Sequence, residues 1–97
     1  VTIRWSARAR RHLQALYDHI AADSPDNAAR VVDRIVARLS QMETFPNSGR
    51  VVPEIDFPVY RELIEPPYRI IYRVGRNAVF LVAIIHGSRI LRPELLR

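Results

Sequence analysis

The sequence predicts an α+β fold in the order β-α-α-β-β-β, an antiparallel sheet with an α-helical hairpin on one face. Three observations predict it. Two long stretches carry apolar residues at helical spacing and are joined by a short capped turn. Three extended segments follow in the C-terminal half, separated by connections short enough for hairpins. A short alternating segment precedes the first helix.

That first segment is VTIRW, residues 1–5, where Val1, Ile3 and Trp5 alternate with Thr2 and Arg4. Ser6 then stands where an N-cap belongs. Ala9, Leu13, Leu16, Tyr17 and Ile20 form one apolar stripe on a helix from about Ala7 to Ala22. His12 and His19, on the same helix, read as surface residues. In DSPDN, residues 23–27, Ser24 is a second N-cap and Pro25 takes the first helical position, where a missing N–H costs nothing. Asp23 and Asp26 complement the positive end of the helix dipole. This helix runs to about Met42 with Ala28, Val32, Ile35, Leu39 and Met42 as its stripe. Both stripes need burial, and a sheet is the natural partner.

FPNSGRVVPEIDFP, residues 45–58, holds three prolines and an Asn-Ser-Gly turn signal and reads as a loop with little regular structure. The extended segments are VYRELIE (59–65), YRIIYRV (68–74) and AVFLVAIIHG (78–87). Pro66-Pro67 divides the first two, and Gly75-Arg76-Asn77 divides the last two. They should form an antiparallel meander.

The chain has 97 residues, so one domain spanning 1–97 is expected, large enough for one modest core. Hydrophobic content of 48% argues against intrinsic disorder. No apolar run approaches the roughly 18 residues of a membrane span, and VTIRWSARARR does not read as a signal peptide. A cytoplasmic location without membrane association is the default expectation. There is no cysteine, hence no disulfide or thiolate chemistry. The net charge is +5, and all 15 basic residues are arginine. From Arg69 onward there are six arginines and one acid, Glu94. Such a basic C-terminal third suits an acidic partner or nucleic acid, or is simply solvated.

In YRIIYRV the greasier face, Tyr68, Ile70, Tyr72 and Val74, should lie under the helices, leaving Arg69, Ile71 and Arg73 on the other. The last strand is apolar on both sides and needs cover on both. The helices can supply one. The C-terminal tail, a second copy or another protein must supply the other. Apolar surface beside arginines has the composition of a protein-binding groove. The competing reading is a covered sheet in which Arg69 and Arg73 pair with Glu62 and Glu65 of the neighbouring strand.

Candidate chemistry is sparse. No Cys/His cluster, Gly-rich phosphate loop or triad pattern is present, so neither a metal nor a cofactor is expected. Glu54, Asp56, Glu62 and Glu65 are acids near the sheet, with no pair spaced as coupled carboxylates. One constellation remains: His86 ends the last strand, with Arg69 and Arg73 on the strand hairpinned to it. A histidine acid–base and arginines stabilising a phosphorane-like transition state could cleave RNA by 2′-hydroxyl attack. Alternatively, His86 is a strand-terminal residue bonded to backbone.

The Trp-Ser step (Trp5, Ser6), Pro-x-x-Gly-Arg (Pro46, Gly49, Arg50), Arg-Glu-Leu (Arg61, Glu62, Leu63), Tyr-Arg-Ile-Ile-Tyr (68–72) and His-Gly (His86, Gly87) occur in this order over nearly the whole chain. The ordered set resembles the ParE/RelE superfamily of type II toxin–antitoxin toxins, its ParE-like branch in particular. The resemblance implies the same β-α-α-β-β-β fold. It also implies a cognate antitoxin, ParD-like or other, in a hetero-oligomer, with Arg61, Leu63, Arg69, Ile71 and Arg73 as its contacts.

Superfamily members divide between inhibition of DNA gyrase and ribosome-dependent mRNA cleavage. Arg69 matches the ribonuclease arginine, with Arg73 and His86 as its companions. Glu62 stands in a strand where ribonuclease members often carry lysine, and no tyrosine follows His86. The ParE-like elements instead imply a gyrase inhibitor that is no enzyme and meets nucleic acid only indirectly. Its target-binding tail would comprise Arg89, Ile90, Leu91, Arg92, Leu95, Leu96 and Arg97. A non-toxic basic interaction module is the third reading.

Overall fold

A computed structural model of the chain describes residues 1–89, 91 and 92. Its elements are β1 (Thr2–Trp5), α1 (Ala7–Ala21), α2 (Pro25–Thr44), β2 (Arg50–Val51), β3 (Tyr60–Glu65), β4 (Tyr68–Val74) and β5 (Ala78–His86). They form one five-stranded sheet in the order β1-β5-β4-β3-β2 with the helical hairpin on one face. The expected β-α-α-β-β-β order is present, and β3, β4 and β5 make the antiparallel meander. Two features go beyond it. β1 pairs parallel to β5, so the sheet is mixed. The expected loop also contributes a two-residue strand, β2, on β3.

Both helices begin as their sequence signals require. Ser6 Oγ accepts from the Ala9 N–H at 2.9 Å, and Ser24 Oγ from the Asn27 N–H at 3.2 Å. α2 buries Ala28, Val31, Ile35, Leu39 and Met42, with Val31 in the place expected for Val32. Along α1, Ala9 is buried, and Leu13, Leu16 and Ile20 pack against the core from its edge. Beneath them lie Leu63 of β3, Ile70 and Tyr72 of β4, and Val79, Leu81 and Ile84 of β5. Glu65 ties β3 to α2 through Arg38 at 3.1 Å and Arg34 at 3.7 Å.

The helix-facing positions of β5 change parity between Leu81 and Ile84. The pairing explains it: Ile71 lies opposite Ala83 while Tyr72 lies opposite Leu81, so Val82 is an extra residue in β5. This β-bulge lets the strand present Leu81 and then Ile84 to the helices, and Ala83 and Ile85 to the opposite side. β1 ends opposite Leu81, so the outer edge of β5 loses its partner strand at the bulge. Side and main chain from the start of α1 take over. The Ser6 N–H donates to the Leu81 carbonyl at 3.0 Å, and Ser6 Oγ donates to the Val82 carbonyl at 3.0 Å. Nearly two turns on, His12 Nδ1 accepts from the Ile84 N–H at 3.1 Å. His12 is therefore a half-buried edge cap, and the expectation of a surface residue does not hold for it. His19 is exposed, as expected.

Ser6 thus serves two elements with one hydroxyl. Ser6→Ala removes a helix cap and a β5 edge bond, and should lower stability by about 1–2 kcal/mol in urea denaturation. The same substitution at Ser24, which caps only its helix, should cost less.

Candidate functional site

The face of the sheet away from the helices is where sequence reasoning located partner contacts. Strand alternation does put Arg69, Ile71 and Arg73 there, beside Tyr60, Glu62 and Ile64 of β3 and Phe80, Ala83 and Ile85 of β5. The face is not open along its middle. Val52, which follows β2, and Leu91, which follows β5, close over Ile71, Ala83 and Ile85 in a second small core. The chain's own loop and C-terminal segment supply the cover that the two-sided strand demanded.

Arg69 is the centre of this face and is buried. Its Nε donates to Glu62 Oε2 at 2.6 Å. Its two terminal nitrogens grip Glu54 as a fork, Nη1 to Oε2 at 2.7 Å and Nη2 to Oε1 at 2.8 Å. The second oxygen of Glu62 accepts from Arg50 Nε at 2.5 Å. Glu54 Oε2 also accepts from the Leu91 N–H at 3.0 Å, and Arg69 Nη1 reaches the Arg89 carbonyl at 3.4 Å. The network therefore joins β2, β3, β4, the loop after β2 and the segment after β5. The Glu62 side chain has no solvent exposure, and no buried side-chain polar atom among the described residues lacks a partner. Hydrogen bonds from Arg69, opposed by desolvation and reinforced by the Leu91 N–H, draw the Glu54 carboxyl down to about 2. The same carboxylate holds Arg69 well above its ordinary value.

The Pro-x-x-Gly-Arg element acquires a physical reason here. Buried Tyr72 Oη donates to the Pro46 carbonyl at 2.7 Å and accepts from the Gly49 N–H at 3.0 Å. A Cβ on Gly49 would lie 2.5 Å from that oxygen and 2.7 Å from the Glu62 carbonyl, so the approach excludes any side chain. Arg50 then follows at the position that meets Glu62.

The other predicted site residues disperse. Leu63 faces the helices and is buried in the main core. Arg61, on the same side of β3, is bonded to the Pro58, Asn47 and Gly49 carbonyls at 3.0–3.3 Å. Neither stands on the face away from the helices, which in β3 belongs to the even-numbered residues. Arg69 and Ile71 have the expected side but are buried. The paired alternative describes Arg69 and Glu62, whereas Glu65 turns to α2. Arg73 lies over the Phe80 ring, 4.3 Å from its centroid.

Of the ribonuclease constellation, the fold brings Arg69 and His86 to one cavity of about 510 Å³, shared with Arg50, Tyr68 and Ser88. Arg73 is not part of it. His86 Nδ1 accepts from the Ser88 N–H at 3.1 Å and lies 2.7 Å from its hydroxyl, while the ring sits edge-on to Tyr68. Within the expected target-binding tail, Arg89 and Arg92 are exposed and Leu91 is buried. Ile90, Leu95, Leu96 and Arg97 lie outside the described residues. No group of His, Cys, Asp and Glu among the described residues could hold a metal ion. No described helix is long and apolar enough to cross a membrane. Sequence reasoning missed Glu54 and Arg50 as partners of Arg69 and Glu62, since no spacing rule links a loop acid to a strand arginine.

A helical hairpin on a five-stranded sheet, with the Pro46–Arg50 element anchoring its edge, is the fold that the ordered motifs implied. Residues 3–91 match the family described as ParE toxin of type II toxin–antitoxin system, parDE, and the chain belongs to that family. It is 38% identical to Y4kP of Sinorhizobium fredii, which carries a toxin designation, over 90% of this chain and 88% of the relative. It is 33% identical to Toxin RelE2 of Caulobacter vibrioides, over 89% and 94%. A chain of the chromosomal ParDE toxin–antitoxin system from P. aeruginosa superposes with a TM-score of 0.75 at 25% identity, covering 91% of this chain and 97% of that one.

Arg69→Ala leaves Glu62 charged, buried and short of a partner, and should lower stability by about 3–5 kcal/mol in chemical denaturation. Glu54 has a lowered pKa, so its contribution is complete above about pH 4.5 and is lost as pH falls from there towards 2. Glu54→Gln should flatten that acid limb of the stability–pH curve and leave its neutral arm sloping as before.

Proposed function

We propose that this chain inhibits DNA gyrase by binding it, without catalysing a reaction of its own, and is neutralised by a cognate antitoxin in a hetero-oligomer. The observation that carries the reading is the state of Arg69. Arg69 is gripped by two carboxylates, with its forked end on Glu54 and its Nε on buried Glu62, so its charge is already matched and only one Nη2 hydrogen is left over for a scissile phosphate. Arg73 stacks on Phe80 and does not line the cavity that holds His86. The family membership and the ParDE neighbour support a toxin with an antitoxin partner. Of the expected antitoxin contacts, Arg61 and Arg73 keep partial exposure. Phe57 at 54% and Ile64 at 40% add apolar surface around the part of the face left uncovered.

Ribonuclease activity is the second reading. It draws on the one cavity that Arg69 and His86 share and on the likeness to a protein named RelE2.

Growth assays with purified-component follow-up separate the two. Expression without antitoxin should arrest growth with filamentation, and the chain should increase gyrase-linked DNA breaks in vitro. His86→Ala should leave both unchanged. Arg92→Glu, at an exposed position of the C-terminal segment, should weaken both about tenfold if that segment meets the target. Ribosome-dependent mRNA cuts that vanish with His86→Ala would overturn the gyrase reading.

A further inference from the structure

Beside the ion network, between the first turns of α1 and the segment after β5, lies a separate cavity of about 400 Å³. Its floor is apolar: Ala83, Ile85 and Leu91. Its rim is formed by Arg8, His12, Arg89 and Arg92. Every polar side chain on that rim is a donor. The Ile84 N–H occupies His12 Nδ1, so the neutral ring carries its proton on Nε2. Among the described residues, Arg8, Arg89 and Arg92 enter no ion pair, and no acid lines the cavity. Burial first, then Arg8, Arg89 and Arg11, hold His12 below its ordinary value, so the nearby positive charge adds to the effect of desolvation.

A concave site with an apolar floor and a rim of donors complements a carboxylate next to an apolar side chain. A nucleic-acid strand would be served by aromatic stacking platforms, and no aromatic side chain among the described residues lines this cavity. We propose that the cavity receives an acidic–apolar segment of a partner protein, with one carboxylate among Arg8, His12, Arg89 and Arg92 and a neighbouring apolar side chain on Ala83, Ile85 and Leu91. The proposal rests on the reading of this chain as a toxin with a protein partner.

His12 meets the carboxylate as the neutral ring, donating from Nε2: a second proton would have to enter Nδ1, which the Ile84 N–H occupies, so affinity should not depend on charging His12. The groups facing His12 are Arg8 and Arg11 on its own helix and Arg89 after β5, with His19, Tyr68 and His86 around the adjoining cavity. None of these is an acid to compete for its proton.

The test is an NMR titration of the full chain with a short capped peptide of alternating leucine and glutamate. Its glutamine counterpart and an oligouridylate serve as comparison ligands. The acidic peptide should shift the Ala83, Ile85 and Leu91 amides and the His12 ring Nε2–H signal. Affinity should fall about tenfold or more for the glutamine peptide and for Arg8→Gln/Arg89→Gln. Arg30→Gln on exposed α2 should change nothing, and thermal melts should show all variants folded. Equal binding of the glutamine peptide, oligouridylate shifting these signals where the peptide does not, or no shift with any ligand would overturn the proposal. Failure here leaves the growth and gyrase results untouched, and a chain that binds the peptide but arrests no growth fails only the toxin reading.

Discussion

The contact on which most of this molecule depends is the one between Arg69 and Glu62. These residues stand diagonally on adjacent strands: Glu62 lies opposite Ile71 and Arg69 opposite Ile64. A carboxylate with no solvent exposure in the middle of a sheet is costly unless both its oxygens are satisfied. Arg69 satisfies one and Arg50 the other, which fixes where β2 must lie. The remaining donors of Arg69 need acceptors, and Glu54 provides two from the loop after β2. Glu54 then has a lone pair for the Leu91 N–H, which draws the segment after β5 over the sheet. A strand pair, a loop and a C-terminal segment are thus positioned by one charge that has to be matched.

The second constraint is hydrophobic and comes from β5. With apolar side chains on both sides, this strand cannot leave either face to water. The helices cover one face over Val79, Leu81 and Ile84, and Val52 and Leu91 cover the other over Ala83 and Ile85. Polar and apolar requirements act in concert, because the charged network anchors the two segments whose side chains seal the second core. The bulge at Val82 is what aims β5 correctly at both layers, and Ser6 and His12 satisfy the edge groups that β1 does not reach.

Much of this was legible in the sequence because it depends on local rules. Caps at Ser6 and Ser24, a proline at the first turn of α2 and 3.6-residue periodicity are read within one or two turns of chain, and both helices follow them. Alternation in YRIIYRV placed Arg69, Ile71 and Arg73 on the face away from the helices. It could not show that a bulge shifts the phase of β5, since every residue near Val82 is apolar and any phase fits. β2 was illegible because its two residues are held by Arg50 and Glu62 across the sheet, not by strand propensity. The side of β3 that Arg61 and Leu63 occupy was illegible for a related reason. A motif resemblance names residues without saying which side of a strand they occupy, and the register with β4 decides that. The pairing of Arg69 with Glu62 was visible as an alternative, but the addition of Glu54 required a loop folded back on the sheet.

Sequence charge also differs from charge that a partner can meet. Arg34, Arg38, Arg50 and Arg69 are spent on acids of the same chain, and Arg73 lies on Phe80. What remains of the basic C-terminal third in the described residues includes Arg89 and Arg92, which stand with Arg8 around a single cavity. The face that looked like the binding groove is closed by the chain's own residues, while its neighbouring end keeps positive charge that no acid among the described residues matches, above an apolar floor. A chain that must persist before meeting its partner gains from this division. The greasiest strand is sealed internally, and the surface left for recognition is polar enough to stay hydrated until an acidic segment displaces the water.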